Sequence, residues 1–201
     1  MNAKQEQKER SHETILTSAA RLLREKGISG ARVADVMHGA GLTVGGFYAH
    51  FASKEALIDA ALRRTASEMR EVLFSKLEQK PERARVDVIL KRYLSAAHRD
   101  QPVSGCSLPA VVGEVGTGAG EHNEVLGEQV SAMAAGIEAH LVSGRSLPKR
   151  QIALALVALM YGGLSLARAL RGSELSDEVL KACRAVGSLA AGADAGQGKG
   201  S

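Results

Sequence analysis

The chain has 201 residues and a formal net charge of +4, which permits nucleic-acid binding without arguing for it alone. Its hydrophobic fraction of 45% suits one medium-sized domain, or a small domain joined to a larger one. Two cysteines without metal-ligand spacing and a polar N-terminus argue against a metal site and a secretory signal. We therefore expect a cytoplasmic protein that needs no metal and no cofactor.

The N-terminal quarter predicts three helices in close succession. The stretch "SHETILTSAARLLREKG" has apolar residues at helical spacing and stops at Gly27. "RVADVMHGAG" predicts a second helix, and Gly41 can take the positive φ that turns the chain out of it. Thr43 then caps a very short third helix that ends near Phe51. Ser53 caps the next helix, which is expected to run towards residue 80.

Two adjacent glycines stand inside the short third helix. Each interior glycine costs about 1 kcal/mol relative to alanine, so this pair needs a reason. At 100° per residue, Phe47 and Phe51 share the face that packs on the first two helices. Gly45, Gly46 and Ala49 then lie on the opposite face. Such a face suits close approach of the backbone to another surface.

The spacing of these helices is typical of a helix-turn-helix, whose second helix enters the major groove of DNA. Tyr48 and His50 flank the small-residue face on its two sides. We therefore expect the glycines to admit the DNA, while Tyr48 and His50 contact phosphates. The alternative for Tyr48 is that it simply packs half-buried against the scaffold.

The segment "GISGARVADVMHGAGLTVGGFYAHFASKEALIDAA" resembles the DNA-binding domain of TetR/AcrR-type transcriptional regulators. The resemblance runs from about Ile15 to Ala61, and "FYAHF" followed by "SKEAL" is its most specific part. It implies a two-part all-α protein, with an N-terminal DNA-binding domain and a C-terminal helical domain that binds an inducer and dimerises. It further implies a repressor that binds a palindromic operator in double-stranded DNA as a homodimer.

The same resemblance, together with the exposed face, assigns the DNA-contacting positions. They are Arg32, Thr43, Val44, Gly45, Gly46, Tyr48, His50 and Lys54. Arg32 either meets a phosphate or is merely solvated. Val44 stands where the family often has lysine, and Gly46 where it often has threonine or serine. Two modes of base recognition therefore stay open. Val44 or Ala49 contacts a thymine methyl group, or recognition depends on DNA shape.

The remaining helices follow from apolar spacing and from proline and glycine positions. A helix begins at Pro81 and continues through "PERARVDVILKRYLSAAHRD", and a short one is entered through Pro109. The stretches "GEHNEVLGEQVSAMAAGIEAHLVSG" and "PKRQIALALVALMYGGLSLARALRG" predict two long helices, and "SDEVLKACRAVGSLAAG" the last one. With no convincing strand, the predicted class is all-α with about nine helices. We expect a DNA-binding domain over residues 1–52, a helical domain over 53–191, and a flexible tail over 192–201.

The second of the two long predicted helices carries a heptad-like seam between Ile152 and Leu170. The seam is formed by Ile152, Leu156, Leu159, Gly163, Leu166 and Leu170. Because the rest of this helix is also apolar, it must be buried on several sides, and we expect a dimer interface. The alternative is an internal core helix of a monomer. Its most apolar run, at 16 residues, is shorter than the ~20 that a membrane span needs.

The effector site is the least determined part of the sequence. Cys106 stands just before a predicted helix N-terminus, where orphan N–H groups lower a thiol pKa. Some regulators that the chain resembles sense oxidants or electrophiles through a cysteine in a similar place, but Cys106 can equally be a buried filler. The candidate effector or sensor residues are Tyr93, His98, Cys106, Met133, His140 and Tyr161, and plain packing is the alternative for each.

Three functions compete on this sequence. The favoured one is a ligand-responsive or redox-responsive repressor. A DNA-binding protein without an effector is the second. The third is a thiol enzyme with Cys106 as nucleophile and His98 as base, but no orienting partner or oxyanion motif accompanies them. We therefore do not expect an enzyme.

Overall fold

A computed structural model describes residues 2–143 and 147–192, and within these ranges it contains nine α-helices and no strand. The helices are α1 (Ala3–Gly30), α2 (Val33–Gly39), α3 (Lys54–Phe74), α4 (Arg85–Tyr93), α5 (Ala96–Asp100), α6 (Leu108–Thr117), α7 (Asn123–Glu138), α8 (Lys149–Ala169) and α9 (Glu174–Ala191). The predicted all-α class is confirmed. Of the predicted tail, residues 193–201 lie outside the described residues.

The chain forms two compact units, and each unit is made of two separate stretches of the sequence. The first unit contains the residues up to Glu68 together with Pro102–Gly127, and the second contains Met69–Gln101 together with the residues from Glu128 onwards. Helix α6 therefore belongs to the same unit as α1 and α2. The predicted domain boundary after residue 52 stays a prediction.

A break in α1 is stabilised by a carboxylate from α6. Gly27 has φ +69°, so the predicted stop is a kink, after which one more helical turn follows. The Glu114 carboxylate accepts hydrogen bonds from the backbone N–H of Ile28 at 2.7 Å and of Ser29 at 2.8 Å. A Cβ at position 27 would lie 2.0 Å from Glu114 Oε1. The positive φ therefore favours glycine here, and a larger side chain would push the Glu114 carboxylate away from the α1 backbone.

The hydrogen bonds from the α1 backbone keep Glu114 ionised. Burial works against the charged carboxylate, but the bonds from Ser29 and Ile28 outweigh it and hold the pKa of Glu114 below its ordinary value. The nearby positive charge of Lys54 acts in the same direction. Glu114 thus acts as a charged cap on the end of α1.

Three more polar contacts join the 102–127 segment to α1 and α3 within the first unit. Arg24 Nε donates to the Gly105 carbonyl at 2.7 Å. The hydroxyls of Thr65 and Ser107 lie 2.6 Å apart, and both residues are buried. The buried His122 ring lies against Asp59, with 2.6 Å between Nδ1 and Oδ1. The segment is therefore an integral part of the first unit.

Two predicted helices have different bounds in the structure. Helix α3 ends at Phe74, because Lys76 is left-handed and Arg92 Nη1 donates to the Leu73 and Ser75 carbonyls at 2.7 and 2.8 Å. The single helix predicted from Pro81 is divided into α4 and α5. Ser95 causes this division, because its Oγ accepts from the His98 backbone N–H at 3.1 Å and starts a new helix.

Helices α8 and α9 pack closely through two glycines. A Cβ on Gly163 would lie 2.7 Å from Cys183 Sγ, and one on Gly187 would lie 3.2 Å from Leu159 Cδ2. By length and composition α8 could cross a membrane, but half of its most apolar window is buried within the protein. This burial is expected of a core helix.

The packing of α9 takes up part of the predicted subunit interface. Of the six seam residues, Ile152, Leu156 and Gly163 are buried within the chain, and only Leu166 is exposed. Leu159 and Leu170 are half-buried. The heptad-like spacing thus indicates mainly the face of α8 that turns inwards, and the subunit interface stays a prediction.

Candidate nucleic-acid interface

The helix-turn-helix is built as the sequence predicts, with one difference. Gly41 has φ +70° and turns the chain out of α2. The following segment, Val44–Ala49, is a 3₁₀ helix instead of the predicted α-helix, and we call it the recognition helix. Its bonds have 3₁₀ spacing, from Gly46 N–H to the Thr43 carbonyl and from His50 N–H to the Phe47 carbonyl. Two glycines in a six-residue helix give too little propensity for regular α structure.

Aromatic side chains fix the recognition helix to its scaffold. Phe47 and Phe51 are buried, with ring centroids 6.0 Å apart, as the sequence predicts for their shared face. The His12 ring of α1 stacks on Phe51 at 4.5 Å. Sequence reasoning missed His12. The signal in the sequence that His12 packs inwards was its position on α1, three residues before the buried Ile15.

The exposed side of the recognition helix carries small and apolar residues. Val44 is 52% exposed, and Gly45 and Ala49 are exposed beside it. A Cβ on Gly45 would meet nothing within 4 Å, and Gly45 has no positive φ. Nothing within the described chain therefore requires glycine at position 45. Gly46 differs, because it is half-buried and its Cβ would lie 3.9 Å from Met37 Cε.

His50 is half-buried directly after the recognition helix. Its Nδ1 is buried without a hydrogen-bond partner. Burial, followed by the charges of His12 and Lys8, lowers the pKa of His50 below its ordinary value. A proton on Nδ1 would lack an acceptor, so the neutral ring carries its proton on Nε2. Such a ring can donate one hydrogen bond to a phosphate without adding charge.

The other predicted DNA contacts border this exposed side. Tyr48 is 78% exposed, and its ring packs edge-on against Phe47 at 5.2 Å. Thr43 is the N-cap residue of the recognition helix, but its side chain makes no capping hydrogen bond. Lys54 is half-buried at the start of α3, where Ser53 Oγ accepts from the Ala56 N–H as predicted.

Arg32 is held on the surface by its own helix. It is exposed before α2, and its guanidinium lies 3.3 Å from the Asp35 carboxylate. This exposed pair is worth little energetically, so Arg32 can exchange Asp35 for another anion. The predicted roles of all eight positions in DNA contact stay predictions.

Three of the predicted effector residues cluster in the second unit. The rings of Tyr93 and His98 are 4.7 Å apart and edge-on, and the rings of Tyr93 and Tyr161 are 5.9 Å apart. His98 Nδ1–H donates to the Tyr93 carbonyl at 2.6 Å. Tyr93 and Tyr161 are buried in the core. The cluster supplies polar atoms and aromatic faces in an otherwise aliphatic interior.

The remaining candidates are not part of this cluster in any described contact. Met133 is buried in α7, and the half-buried His140 ring lies 6.0 Å from that of Phe74. Cys106 belongs to the first unit and is fully buried. An oxidant or electrophile therefore reaches the Cys106 thiol only after this segment opens. In the described ranges, no three His, Cys, Asp or Glu side chains form a group that could hold a metal ion.

His98 should make the stability of the protein pH-dependent. Burial lowers the pKa of His98 to about 4, which outweighs the hydrogen bond to the Tyr93 carbonyl, and the charge of Arg168 adds to the lowering. Between pH 6.5 and 4 the unfolded chain binds a proton here that the folded chain does not bind. The free energy of unfolding should therefore fall as the pH is lowered, by about 2 kcal/mol from this group at pH 4.5.

Urea denaturation of the wild type and His98→Asn at pH 7 and 4.5 measures this contribution. Asparagine can still donate to the Tyr93 carbonyl but does not titrate, so the variant should lose about 2 kcal/mol less between the two pH values. An identical loss in both proteins would contradict the assignment.

Comparison with known proteins agrees with the N-terminal geometry. Residues 15–61 match the family model described as bacterial regulatory proteins, tetR family. Over 49 residues, which are 24% of each chain, the protein is 43% identical to the HTH-type transcriptional repressor KstR2 of Mycobacterium tuberculosis. The match thus spans about a quarter of the length of this curated relative.

Solved structures extend the likeness over nearly the whole chain. A TetR-family regulator from Rhodococcus sp. has a TM-score of 0.75 at 20% identity, over 90% of this chain and 98% of that one. E. coli NemR in its reduced form has a TM-score of 0.70 at 22% identity, over 86% of this chain and 94% of that one. At these identities the likeness shows the fold. The segment over residues 15–61 is thus similar to the helix-turn-helix of tetR-family regulatory proteins, and the chain as a whole has the fold of these TetR-family structures.

Proposed function

We propose that the protein is a repressor that binds a palindromic operator through the recognition helix, in the bacterial cytoplasm. The observation that carries the proposal is the exposed side of the recognition helix, which the buried Phe47 and Phe51 orient and on which Gly45 leaves the backbone open to close approach. Among the described residues nothing requires glycine at position 45, where alanine would be more favourable in a helix. Close approach of DNA accounts for the glycine.

The palindromic operator follows from a proposed homodimer. The exposed apolar residues of α8 and α9 are Leu154, Leu166, Leu175, Val186 and Leu189. Exposed small residues, Ala155, Ala158 and Gly162, lie between Leu154 and Leu166 on α8. These residues leave an apolar surface on the helix pair that a second copy can cover. A two-fold dimer presents two identical recognition helices, and an operator with two-fold sequence symmetry matches them.

We further propose that a small molecule releases the repressor from DNA by binding near the Tyr93, His98 and Tyr161 cluster. Aromatic faces and a few polar atoms in an apolar interior are typical of small-molecule sites. A thermal-shift screen of the purified protein tests this, since a ligand of the folded state raises Tm. A ligand whose effect is unchanged in Tyr161→Leu would place its site elsewhere. The redox alternative through Cys106 is not favoured, because the thiol is fully buried.

Selection from a pool of random DNA duplexes tests the DNA-binding function directly. The purified protein should enrich a single sequence motif with two-fold symmetry. Enrichment of an unsymmetric motif would contradict the palindromic operator. No enrichment at all would contradict the proposed function.

Replacing Lys54 by alanine should weaken DNA binding without changing its sequence preference. A lysine that neutralises one phosphate contributes about one unit to the slope of log affinity against log salt concentration, and phosphate contacts carry no sequence information. Fluorescence anisotropy over a range of salt concentrations measures this slope on the selected duplex and on an unrelated one.

The matched control for this measurement is Lys149→Ala. Lys149 is also a half-buried lysine at the first position of a long helix, but it lies in the second unit. This variant should keep the wild-type slope. An altered sequence preference with an unchanged slope in Lys54→Ala would mean that Lys54 contacts bases instead.

A further inference from the structure

We propose that Val44 recognises thymine in the operator through its C5-methyl group, so that each half-site carries thymine where it faces the start of the recognition helix. The proposal rests on the proposed DNA-binding function and names the chemistry of its base recognition. It makes Val44 a residue that determines specificity.

The first step is the inventory of side chains on the exposed side of the recognition helix. Val44, Gly45 and Ala49 are exposed there, and none of them has a side-chain hydrogen-bonding atom. In the major groove, guanine, adenine and cytosine are distinguished by donors and acceptors, whereas thymine alone adds a methyl group. An apolar side chain on this side therefore discriminates best in favour of thymine.

The polar side chains nearby are placed at the margins of this surface. Tyr48 projects into solvent beside the buried Phe47, and Thr43 precedes the helix as its N-cap residue. His50 is half-buried and follows the helix, with Nδ1 enclosed by protein. These groups are suited to phosphates on either side of the groove. Val44, at the start of the helix, is the exposed apolar side chain between Thr43 and the glycine pair.

The second step is the shape of that surface. Gly45 has no side chain, and a Cβ there would meet nothing within 4 Å. The Val44 side chain, 52% exposed, therefore stands above its immediate neighbour. When the glycine backbone approaches the groove, the isopropyl group is the side chain that enters furthest. Burying one methyl group against it should change affinity about fourfold.

The experiment uses the duplex selected by the wild-type protein and replaces single thymines by deoxyuridine. Uracil keeps the hydrogen-bonding pattern of thymine and lacks only the methyl group. At one position per half-site, wild-type affinity should fall about fourfold, and about sixteenfold when both half-sites are substituted. At that position Val44→Ala should bind the thymine and uracil duplexes equally.

Two further variants separate recognition from folding. Val44→Thr keeps the shape of the side chain and one of its two methyl groups, so its discrimination should lie between those of the wild type and Val44→Ala. Lys54→Ala should bind more weakly yet keep the full fourfold discrimination, because it acts on the phosphates. Circular dichroism and Tm should be unchanged in both Val44 variants, since the side chain is half exposed.

Each adverse outcome has a distinct meaning. Full tolerance of uracil by the wild type, or equal sensitivity in Val44→Ala, would overturn the role of Val44 while leaving DNA binding established. A selected motif without thymine would overturn it as well. A failure to select any specific duplex would overturn both this inference and the proposed function.

Discussion

Gly45→Glu should abolish specific DNA binding, with a loss of about 100-fold or more. The substitution places a negative charge and four heavy atoms beyond Cβ where the backbone is expected to meet the groove. Repulsion between two like charges at 4 Å ranges from about 1 kcal/mol in water to about 4 kcal/mol near a protein surface, which alone corresponds to a five-fold to thousand-fold loss. The fold should be unaffected, because a Cβ at this position has open space.

Gly45→Ala separates the cost to binding from any damage to the fold. Alanine should raise the free energy of unfolding by about 0.5 kcal/mol, since it restricts the unfolded chain and position 45 has no positive φ. Its methyl group should nevertheless weaken binding to the selected duplex by holding the backbone away from the DNA. A variant that is more stable and binds less well cannot be explained by partial unfolding.

Gly127 provides the matched control for these two variants. It is an exposed glycine in α7, and a Cβ there would also meet nothing within 4 Å. Gly127→Ala and Gly127→Glu should leave DNA affinity at the wild-type value. Gel-shift titrations measure the DNA affinity of all four glycine variants, and urea denaturation measures their free energy of unfolding. Wild-type affinity in Gly45→Glu would refute the orientation of the recognition helix towards DNA.

Val186→Arg should convert the protein into a monomer and thereby cost most of its operator affinity. Val186 is 58% exposed on α9 and belongs to the apolar surface proposed for the homodimer. An arginine in the centre of a buried apolar interface leaves a desolvated charge without a partner. Linking two half-site contacts in one dimer raises affinity by 10²–10⁴, so the monomer should bind about 1,000-fold more weakly.

Val72→Arg is the control for this substitution. Val72 is a valine of nearly equal exposure, 60%, on α3, outside the proposed interface. Light scattering should give 21.1 kDa for Val186→Arg and twice that mass for the wild type and Val72→Arg. Ala158→Arg, at an exposed position of α8, should reproduce the monomer. A wild-type monomer, or a dimer that survives both substitutions, would contradict the proposed interface.

Local signals in the sequence predicted most of the helices, because capping and helix-breaking act over a few residues. Gly41 and Ser53 perform the roles that their chemistry indicates, whereas Gly27 kinks α1 instead of ending it. What was missed depends on partners distant in sequence. Arg92 determines where α3 ends, and the Glu114 carboxylate contacts a backbone 85 and 86 residues away. No periodicity within one helix carries that information.

The candidate site also contains features that the sequence predicted and features that it did not. The sequence predicted that Phe47 and Phe51 share a buried face, and this pair fixes which side of the recognition helix is exposed. It did not predict the half-burial of Gly46 beside Met37, because this depends on packing between elements. The 3₁₀ form was also missed, although the two glycines were a local signal against regular α structure. In α8, heptad spacing could not tell contact with α9 from contact with a second copy, since both bury an apolar stripe.

The charged cap that α6 places on α1 determines how DNA-binding specificity could be transplanted between regulators. A graft that ended at Glu68 would leave the Ile28 and Ser29 amides, Arg24 and Thr65 without their acceptors and partners from the 102–127 segment. A functional chimera should therefore carry both pieces of the first unit, joined through the host's intervening residues. During synthesis the first unit can be completed only after Gly127 has emerged from the ribosome, long after the helix-turn-helix itself has been made.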